Sequence, residues 1–311
     1  LILKRIPGKI HHFFFSKKGY VFTGIFLTVL TLAFSVYGSV NAKHVRVTPY
    51  QVTIDKECPG IDHLKIALIA DLHLGYSVGD AQMRRMVKKV NAMEPDLILV
   101  AGDIFDNEYE AVQNPDKIAS TLSQMKSRYG VYGVFGNHDV TERLLGGFSV
   151  SSSKEEVRDP RFEEFAEKAG IQILDDEAVC IEDAFYLVGR KDAQKSGDGE
   201  GRLSPEGILS KTDTRLPVIV MEHQPRQLQE LADAGADMQL CGHTHDGQIF
   251  PGNLVIPFFW ENPCGLLVKD QMYSIVTSGV GVWGPAMRVG TVSEVCEITV
   301  NFRQSESGNA A

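Results

Sequence analysis

Five short groups of residues carry side chains that bind metals or move protons. Asp71 and His73 follow the apolar run Lys65–Ala70, and Asp103 follows Leu97–Ala101. Asn137, His138 and Asp139 follow Val131–Phe135, His223 ends the run begun at Val218, and His243 and His245 follow Met238–Cys241. Every histidine beyond residue 63 falls in one of these groups. Mixed imidazole and carboxylate donors suit Mn, Fe or Zn better than Ca. Such an ion lowers the pKa of a bound water and neutralises negative charge that builds up in a displacement reaction. Alternate residues of an extended segment share a face, so Asp71 and His73 can grip one cation together.

The runs before these groups explain how residues so far apart could meet. A short continuous apolar run reads as a buried parallel strand. In open α/β sheets the ligand site lies beyond the carboxyl ends of the strands. Five strands ending in such residues can therefore deliver them to one rim. Between the first two runs, Met83, Met86, Val87, Val90 and Met93 recur at helical spacing. This predicts a helix capped by Asp80, a packing face on a sheet, and a right-handed βαβ crossover. Further helices are expected over Asp116–Arg128, Pro160–Ala169 and Gln227–Ala234. After residue 171 short strands dominate, at Ile171–Leu174, Phe185–Val188, Tyr273–Thr277 and Val295–Val300, suggesting a second sheet packed on the first. Gly146–Lys154 and Lys191–Arg202 read as exposed, mobile loops.

The order of these motifs resembles that of the calcineurin-like metallophosphoesterases over roughly residues 64 to 300. The run Gly242-His243-Thr244-His245-Asp246-Gly247-Gln248-Ile249-Phe250-Pro251 and the later Ser278–Pro285 are similar to segments of the bacterial membrane-associated branch. Asp246 stands where many relatives carry glycine. The resemblance implies a four-layer αββα sandwich of two mixed sheets and a centre of two divalent metal ions. One ion would take Asp71, His73, Asp103 and His245, and the other Asp103, Asn137, His223 and His243, with Asp103 as the bridge. A pair about 3.5–4 Å apart can hold a hydroxide and clamp the phosphoryl oxygens of an in-line displacement. His138 is then the candidate that protonates the leaving oxygen, and Asp139 could orient its imidazole or serve the turn. Asp106 would support the shell, and Arg288 could contact substrate phosphate or form a surface ion pair. Relatives in this branch include enzymes that cleave UDP-diacylglucosamine, so a phosphorylated small molecule or a lipid-linked substrate is expected. A non-catalytic scaffold that kept the fold is the rival from another class, and the presence of every ligand type speaks against it.

Tyr20–Val40 is free of charged residues and long enough to span a bilayer as a helix. Lys4, Arg5, Lys9, Lys17 and Lys18 precede it, and only Lys43 and Arg46 follow shortly after. The positive-inside rule places residues 1–19 in the cytoplasm and the catalytic domain outside. A cleaved signal peptide ending at Val40-Asn41-Ala42 is the alternative, but signal h-regions usually run to only about 7–15 residues. The expected organisation is a basic flank over 1–19, an anchor over 20–40, a stalk or edge strand over 41–60, a catalytic domain over 61–303 and a disordered tail over 304–311.

With seven basic and no acidic residues in 1–46 and −9 on the whole chain, the remainder carries −16. That charge opposes general nucleic-acid binding, which rests on Lys and Arg neutralising phosphates, although bound cations would reverse the sign locally. Cys58, Cys180, Cys241, Cys264 and Cys296 form no C-x-x-C pair, which leaves no zinc ribbon or disulfide framework. Cys180, Cys241 and Cys296 are expected as small buried hydrophobes. Ile256-Pro257-Phe258-Phe259-Trp260 reads as a packed hairpin or, alternatively, as the lining of a lipid path.

Overall fold

The computed structural model describes residues 16–141, 144–145, 148–149 and 157–303. Helix α1, Lys17–Ala42, leads directly into strand β1, Val45–Ile54. Strand β2 (His63–Ile69), helix α2 (Asp80–Met93) and strand β3 (Leu97–Ala101) form the expected βαβ unit. Helix α3 (Pro115–Leu122), strand β4 (Val131–Val134), the small pair β5 (Leu144–Leu145) and β6 (Phe148–Ser149), and helix α4 (Pro160–Lys168) follow. Then come β7 (Gln172–Ile173), β8 (Glu177–Ile181), β9 (Phe185–Gly189), α5 (Pro205–Leu209), β10 (Val218–Met221), α6 (Leu228–Asp233) and β11 (Met238–Cys241). The short helix α7 (Gly252–Val255) and strands β12 (Gly265–Lys269), β13 (Met272–Val276) and β14 (Ser293–Phe302) complete the chain.

The strands make two six-stranded sheets, ordered β1-β14-β2-β3-β4-β7 and β12-β13-β11-β10-β9-β8. Both are mixed: β14 runs antiparallel to β2, β12 antiparallel to β13, and β8 antiparallel to β9, while the central strands are parallel. Side-chain alternation along β2 shows how the layers form. Leu64, Ile66 and Leu68 face the second sheet and meet Leu187, Ile219, Met221 and Leu240. Ala67 and Ile69 face the other way, onto the Met83, Met86, Val87 and Val90 stripe of α2 and onto Phe162 and Phe165 of α4. Val218 and Val220 of β10 face outward onto Ile208, Leu209, Leu228 and Leu231 of α5 and α6. The result is the four-layer αββα sandwich.

Several sequence expectations change in detail. Gly79 is the N-cap of α2; Asp80 is already helical, and its carboxylate accepts from Thr121 Oγ1 at 2.7 Å. Helix α3 stops at Leu122 rather than Arg128 because Ser123 Oγ and Gln124 Nε2 turn back to Ser120 O, while Asn91 of α2 binds Gln124 O and Lys126 N. Strands β7 and β14, expected in the second sheet, belong to the first, and β14 inserts between β1 and β2. Residues 45–54 are an edge strand rather than a stalk. Lys191–Arg202 is tied down: Asp192 accepts from Gln194 N, Lys195 N and Gln224, and Arg158 reaches Ser196 O. Of the Gly146–Lys154 loop, only β6 and its pairing to β5 lie within the described residues, and residues 1–15 and the tail from 304 lie outside them. Cys241 and Cys296 are buried, but Cys180 is exposed on the edge strand β8; all five cysteines are free thiols.

Candidate metal centre

Strands β2, β3 and β4 of the first sheet and β10 and β11 of the second end at one rim, and each delivers its motif there. The turns are sharp. Asp71, His73, Asp103, His243 and His245 all have left-handed backbones, with φ of 55°, 44°, 49°, 76° and 52°. Non-glycine residues rarely accept this, at about 1–3 kcal/mol each, and such outliers cluster at functional sites. Asp71 and His73 therefore converge through a twisted turn, not through the alternation of an extended strand. Asp246, in the place of a glycine, adopts the left-handed conformation that position needs, at φ 52°, and Thr244 Oγ1 accepts its backbone N–H at 3.2 Å.

Six of the seven candidate ligands come together in two clusters. Asp71, His73 and His245 form one cluster and Asp103, His223 and His243 another. Asp103 Oδ2 joins them, 3.0 Å from His223 Nε2 and 3.6 Å from His73 Nε2. His73 Nε2 and His245 Nε2 stand 3.0 Å apart, and His243 Nδ1 and His223 Nε2 3.2 Å apart. Donors about 2.0–2.2 Å from one ion have such mutual separations. Asn137 Oδ1 is a further acceptor, buried and without a hydrogen-bond partner. The donor set fits divalent cations.

Supporting contacts fix these side chains. His223 Nδ1 donates to Ala101 O at 2.9 Å, which aims Nε2 at Asp103. Glu222, beside it, is fully buried against Arg190 Nη1 at 2.9 Å and Gln239 Nε2 at 2.6 Å. Asp71 accepts the backbone N–H of His243 on both oxygens. Asp103 Oδ1 accepts from His138 N at 2.8 Å.

Three other candidates take defined places around the centre, and Asp139 takes the second of its two expected roles, in the turn. Asp139 does not orient His138. It is fully buried and accepts the backbone N–H groups of Gly136, Phe105 and Ile104 at 2.7, 2.8 and 3.2 Å. It therefore ties the turn that carries Asn137 to the one that carries Asp103. The orienting partner is Asn107, which sequence reasoning missed, although it directly follows Asp106. Its Oδ1 lies 2.6 Å from His138 Nδ1, and its Nδ2 donates to Val140 O. That network assigns the His138 hydrogen to Nδ1 and leaves Nε2 for the cavity the ring lines. Asp106 lies 3.5 Å from His73 Nδ1 and 3.8 Å from His138 Nδ1, in keeping with a supporting part. Arg288 is not a surface residue, and it is not among the residues that line the cavity beside the centre. It is fully buried, donates to Ser278 O at 2.6 Å and Gly281 O at 2.8 Å, and abuts His245 Nδ1 at 3.2 Å.

The electrostatics of the metal-free site follow from burial and proximity. Burial disfavours charge on His223, but the Asp103 carboxylate outweighs it and carries the imidazole up to about 10. Burial likewise pushes against the Asp103 charge, yet His223 holds Asp103 well below the usual carboxylate range. At Asp71 burial dominates, and its pKa stands at about 6. Burial and then the neighbouring His223 charge depress His243 to about 3. His245 is also depressed, by burial first and then by His73. Burial lowers His138 as well.

The centre opens into a cavity of about 530 Å³, lined by Asp103, His138, His243 and His245 on its polar side and by Trp260 and Trp283 on its apolar side. Trp260 packs edge-on against His243, with Arg226 over its other side.

Comparison with known proteins places this geometry. The family model described as calcineurin-like phosphoesterase matches residues 64–247. A Danio rerio relative described as a transmembrane protein with metallophosphoesterase domain is 31% identical over 88% of this chain. The chain spans 61% of that relative's length. A UDP-2,3-diacylglucosamine pyrophosphatase of Chlamydia trachomatis is 24% identical over 74% of this chain and 80% of its own. Among solved structures, a dimetal phosphatase from Danio rerio aligns with a TM-score of 0.46 at 13% identity, covering 77% of this chain and 99% of that one.

Proposed function

The chain belongs to the calcineurin-like phosphoesterase family, and on that premise we propose that it is a membrane-anchored, two-metal hydrolase of phosphoester or pyrophosphate bonds. The observation that carries this reading is the pair of donor clusters joined through Asp103. Asp71, His73, Asp103 and His245 would hold one ion, and Asp103, Asn137, His223 and His243 the other. Bound there, two divalent cations would activate water near neutral pH and neutralise charge on the phosphoryl group. The side chains do the rest. Asp103 shares one carboxylate between both ions. His223 would hold the second ion as a neutral ligand through Nε2, because Nδ1 is committed to Ala101 O. His138, held by Asn107, protonates the leaving oxygen from Nε2 as an imidazolium, a state favoured by an adjacent anionic phosphoryl group. Arg288 and Asp139 position the loops and touch no substrate.

The anchor is α1, whose 26 residues would reach about 39 Å. Tyr20, Ile25, Phe26, Leu32 and Phe34 are exposed along it. Retention rather than cleavage is supported at its end. Asn41 is buried and its Nδ2 donates to Arg288 O and Thr291 O, and Ala42 is buried beside it, so two of the three residues of the alternative cleavage site are part of the folded domain. The basic flank orients the domain outward. A lipid pyrophosphate of the kind named for the Chlamydia trachomatis relative is the second reading, favoured by the apolar half of the cavity.

The test is Asp103→Asn in the full chain. A neutral amide bridges two cations poorly, so bound metal should fall below two per chain, and hydrolysis of nitrophenyl phosphoesters should be lost. Two tightly held metals with a near-normal rate in this variant would refute the assignment.

A further inference from the structure

The segment after the histidine motif, expected as a packed hairpin or as the lining of a lipid path, is not a hairpin. Residues 252–258 form α7 and one 3-10 turn, and none of these residues is buried. Phe258 and Phe259 are 84% and 74% exposed, and Phe250, Leu254 and Val255 stand out with them. Single exposed apolar residues are ordinary, but a contiguous group marks an interaction surface.

Its neighbourhood says what covers it. Phe250 N donates to Val289 O, and Ile249 bridges Val289. Val289 and Met287 press on Gly38 so closely that a Cβ there would meet both at 3.0 Å, and Arg288 N donates to Gly38 O. Gly38 lies inside the uncharged run of α1, before its end at Val40. The domain is thus seated on the last apolar turn of the anchor, with no spacer, and the exposed aromatic loop leaves from that seat. Tyr76, 77% exposed, adjoins Ser77, which lines a cleft with Ala42, Lys43 and Arg85. Aromatic and basic side chains together suit the interfacial zone of a bilayer.

We propose that the 250–259 loop is a second membrane contact, inserted into the interface of the bilayer that α1 spans, so that the cavity is fed from the membrane. The cavity rim supports this: Ile256 comes from the loop, Trp260 directly follows it, and Trp283 and Pro285 come from the segment that reaches Gly38. The substrate class is then an amphiphile with a phosphoester or pyrophosphate head and an apolar tail lying along that rim. This inference rests on the anchor and hydrolase reading above.

Trp260 and Trp283 are the only tryptophans of the chain, so its intrinsic fluorescence reports on the rim. The full chain in phosphatidylcholine–phosphatidylglycerol nanodiscs should be quenched by lipids brominated near the carboxyl end of the acyl chain, and less by lipids brominated near the methyl end. The double variant Phe258→Ser/Phe259→Ser should lose most of this quenching. Its turnover of the nitrophenyl ester of phosphatidic acid in the discs should fall roughly 100-fold or more, the scale of withdrawing two phenylalanines from an apolar phase. Its turnover of soluble bis-nitrophenyl phosphate should not change. A chain that stays in the disc without quenching overturns the membrane contact and spares the anchor. A chain that leaves the membrane fraction overturns both. Equal losses on the two substrates overturn feeding from the membrane. Inactivity of the parent chain on both sinks the hydrolase reading, while the quenching still decides the contact.

Discussion

Gly136→Ala tests whether the metal centre depends on close backbone packing as much as on its ligands. A Cβ at Gly136 would fall 2.2 Å from Asp103 Oδ1, 2.6 Å from Asp103 N and 2.7 Å from the His223 ring. Ordinary contact begins at 3.4 Å, so the Asp103 turn must retreat by about 1 Å. Overpacking of this kind costs about 1–3 kcal/mol. The fold should survive, with a melting temperature a few degrees lower in the presence of chelator, at about 2–4 °C per kcal/mol for a domain of this size. The centre should not survive, because metal ligands tolerate displacements of only about 0.2 Å, and a misplacement of about 1 Å costs on the order of 100-fold in rate. The assay is elemental analysis of the purified chain, hydrolysis of nitrophenyl phosphate, and a melt with and without chelator. Gly75→Ala is the control, since its Cβ meets nothing nearer than Asp106 Cβ at 3.4 Å. A Gly136→Ala protein with two metals and a parental rate would refute the reasoning. So would a Gly75→Ala protein equally impaired.

His138→Ala should keep its metals but slow hydrolysis by roughly 10²–10⁴-fold for a poor leaving group and much less for nitrophenolate; equal losses on both substrates would make His138 a phosphate-positioning residue instead. In the metal-free protein His223 is protonated up to about pH 10, and it must lose that proton to bind a cation. Calorimetry near neutral pH, in buffers of different ionisation enthalpy, should therefore show about one proton or more released per chain, and affinity should rise with pH until that limit; release of none would contradict the His223 ligand role. Protease added to spheroplasts should digest the domain and leave a small membrane fragment, whereas protection of the domain until lysis would reverse the proposed orientation and favour the nucleotide-lipid reading.

The candidate site was legible because each ligand type sits at the carboxyl end of an apolar run, where strand geometry alone dictates convergence. The Met83–Met93 stripe was legible for the same reason, since one face of α2 is buried and the other is not. What sequence could not show is set by the backbone. Arg288 is buried among carbonyls of Ser278 and Gly281, and Asp139 among amides of Gly136, Phe105 and Ile104. Every sequence offers such partners everywhere, so spacing carries no trace of them. Asn107 was hidden similarly, as a polar residue after a turn. The edge strand β12 was missed because only one flank is paired, which leaves side chains such as Leu266 and Val268 in the open, and its counterpart β8 was legible only as a strand-like run about Cys180. The place of β14 between β1 and β2 joins residues about 230 to 250 positions apart, a separation that no local pattern encodes.

That last strand has a consequence for when the protein can acquire its metals. Each donor cluster draws from both sheets: Asp71 and His73 need His245, and Asp103 needs His223 and His243. The sheet that carries Asp71 is interrupted until Ser293–Phe302 is in place. Before the two sheets pack on each other, the chain thus presents scattered donors but no assembled centre. On the two-metal reading, a centre completed only in the folded domain takes its ions from the compartment where the domain folds. If that happens beyond the membrane, the metal economy of the cytoplasm has no say in which ions the protein carries.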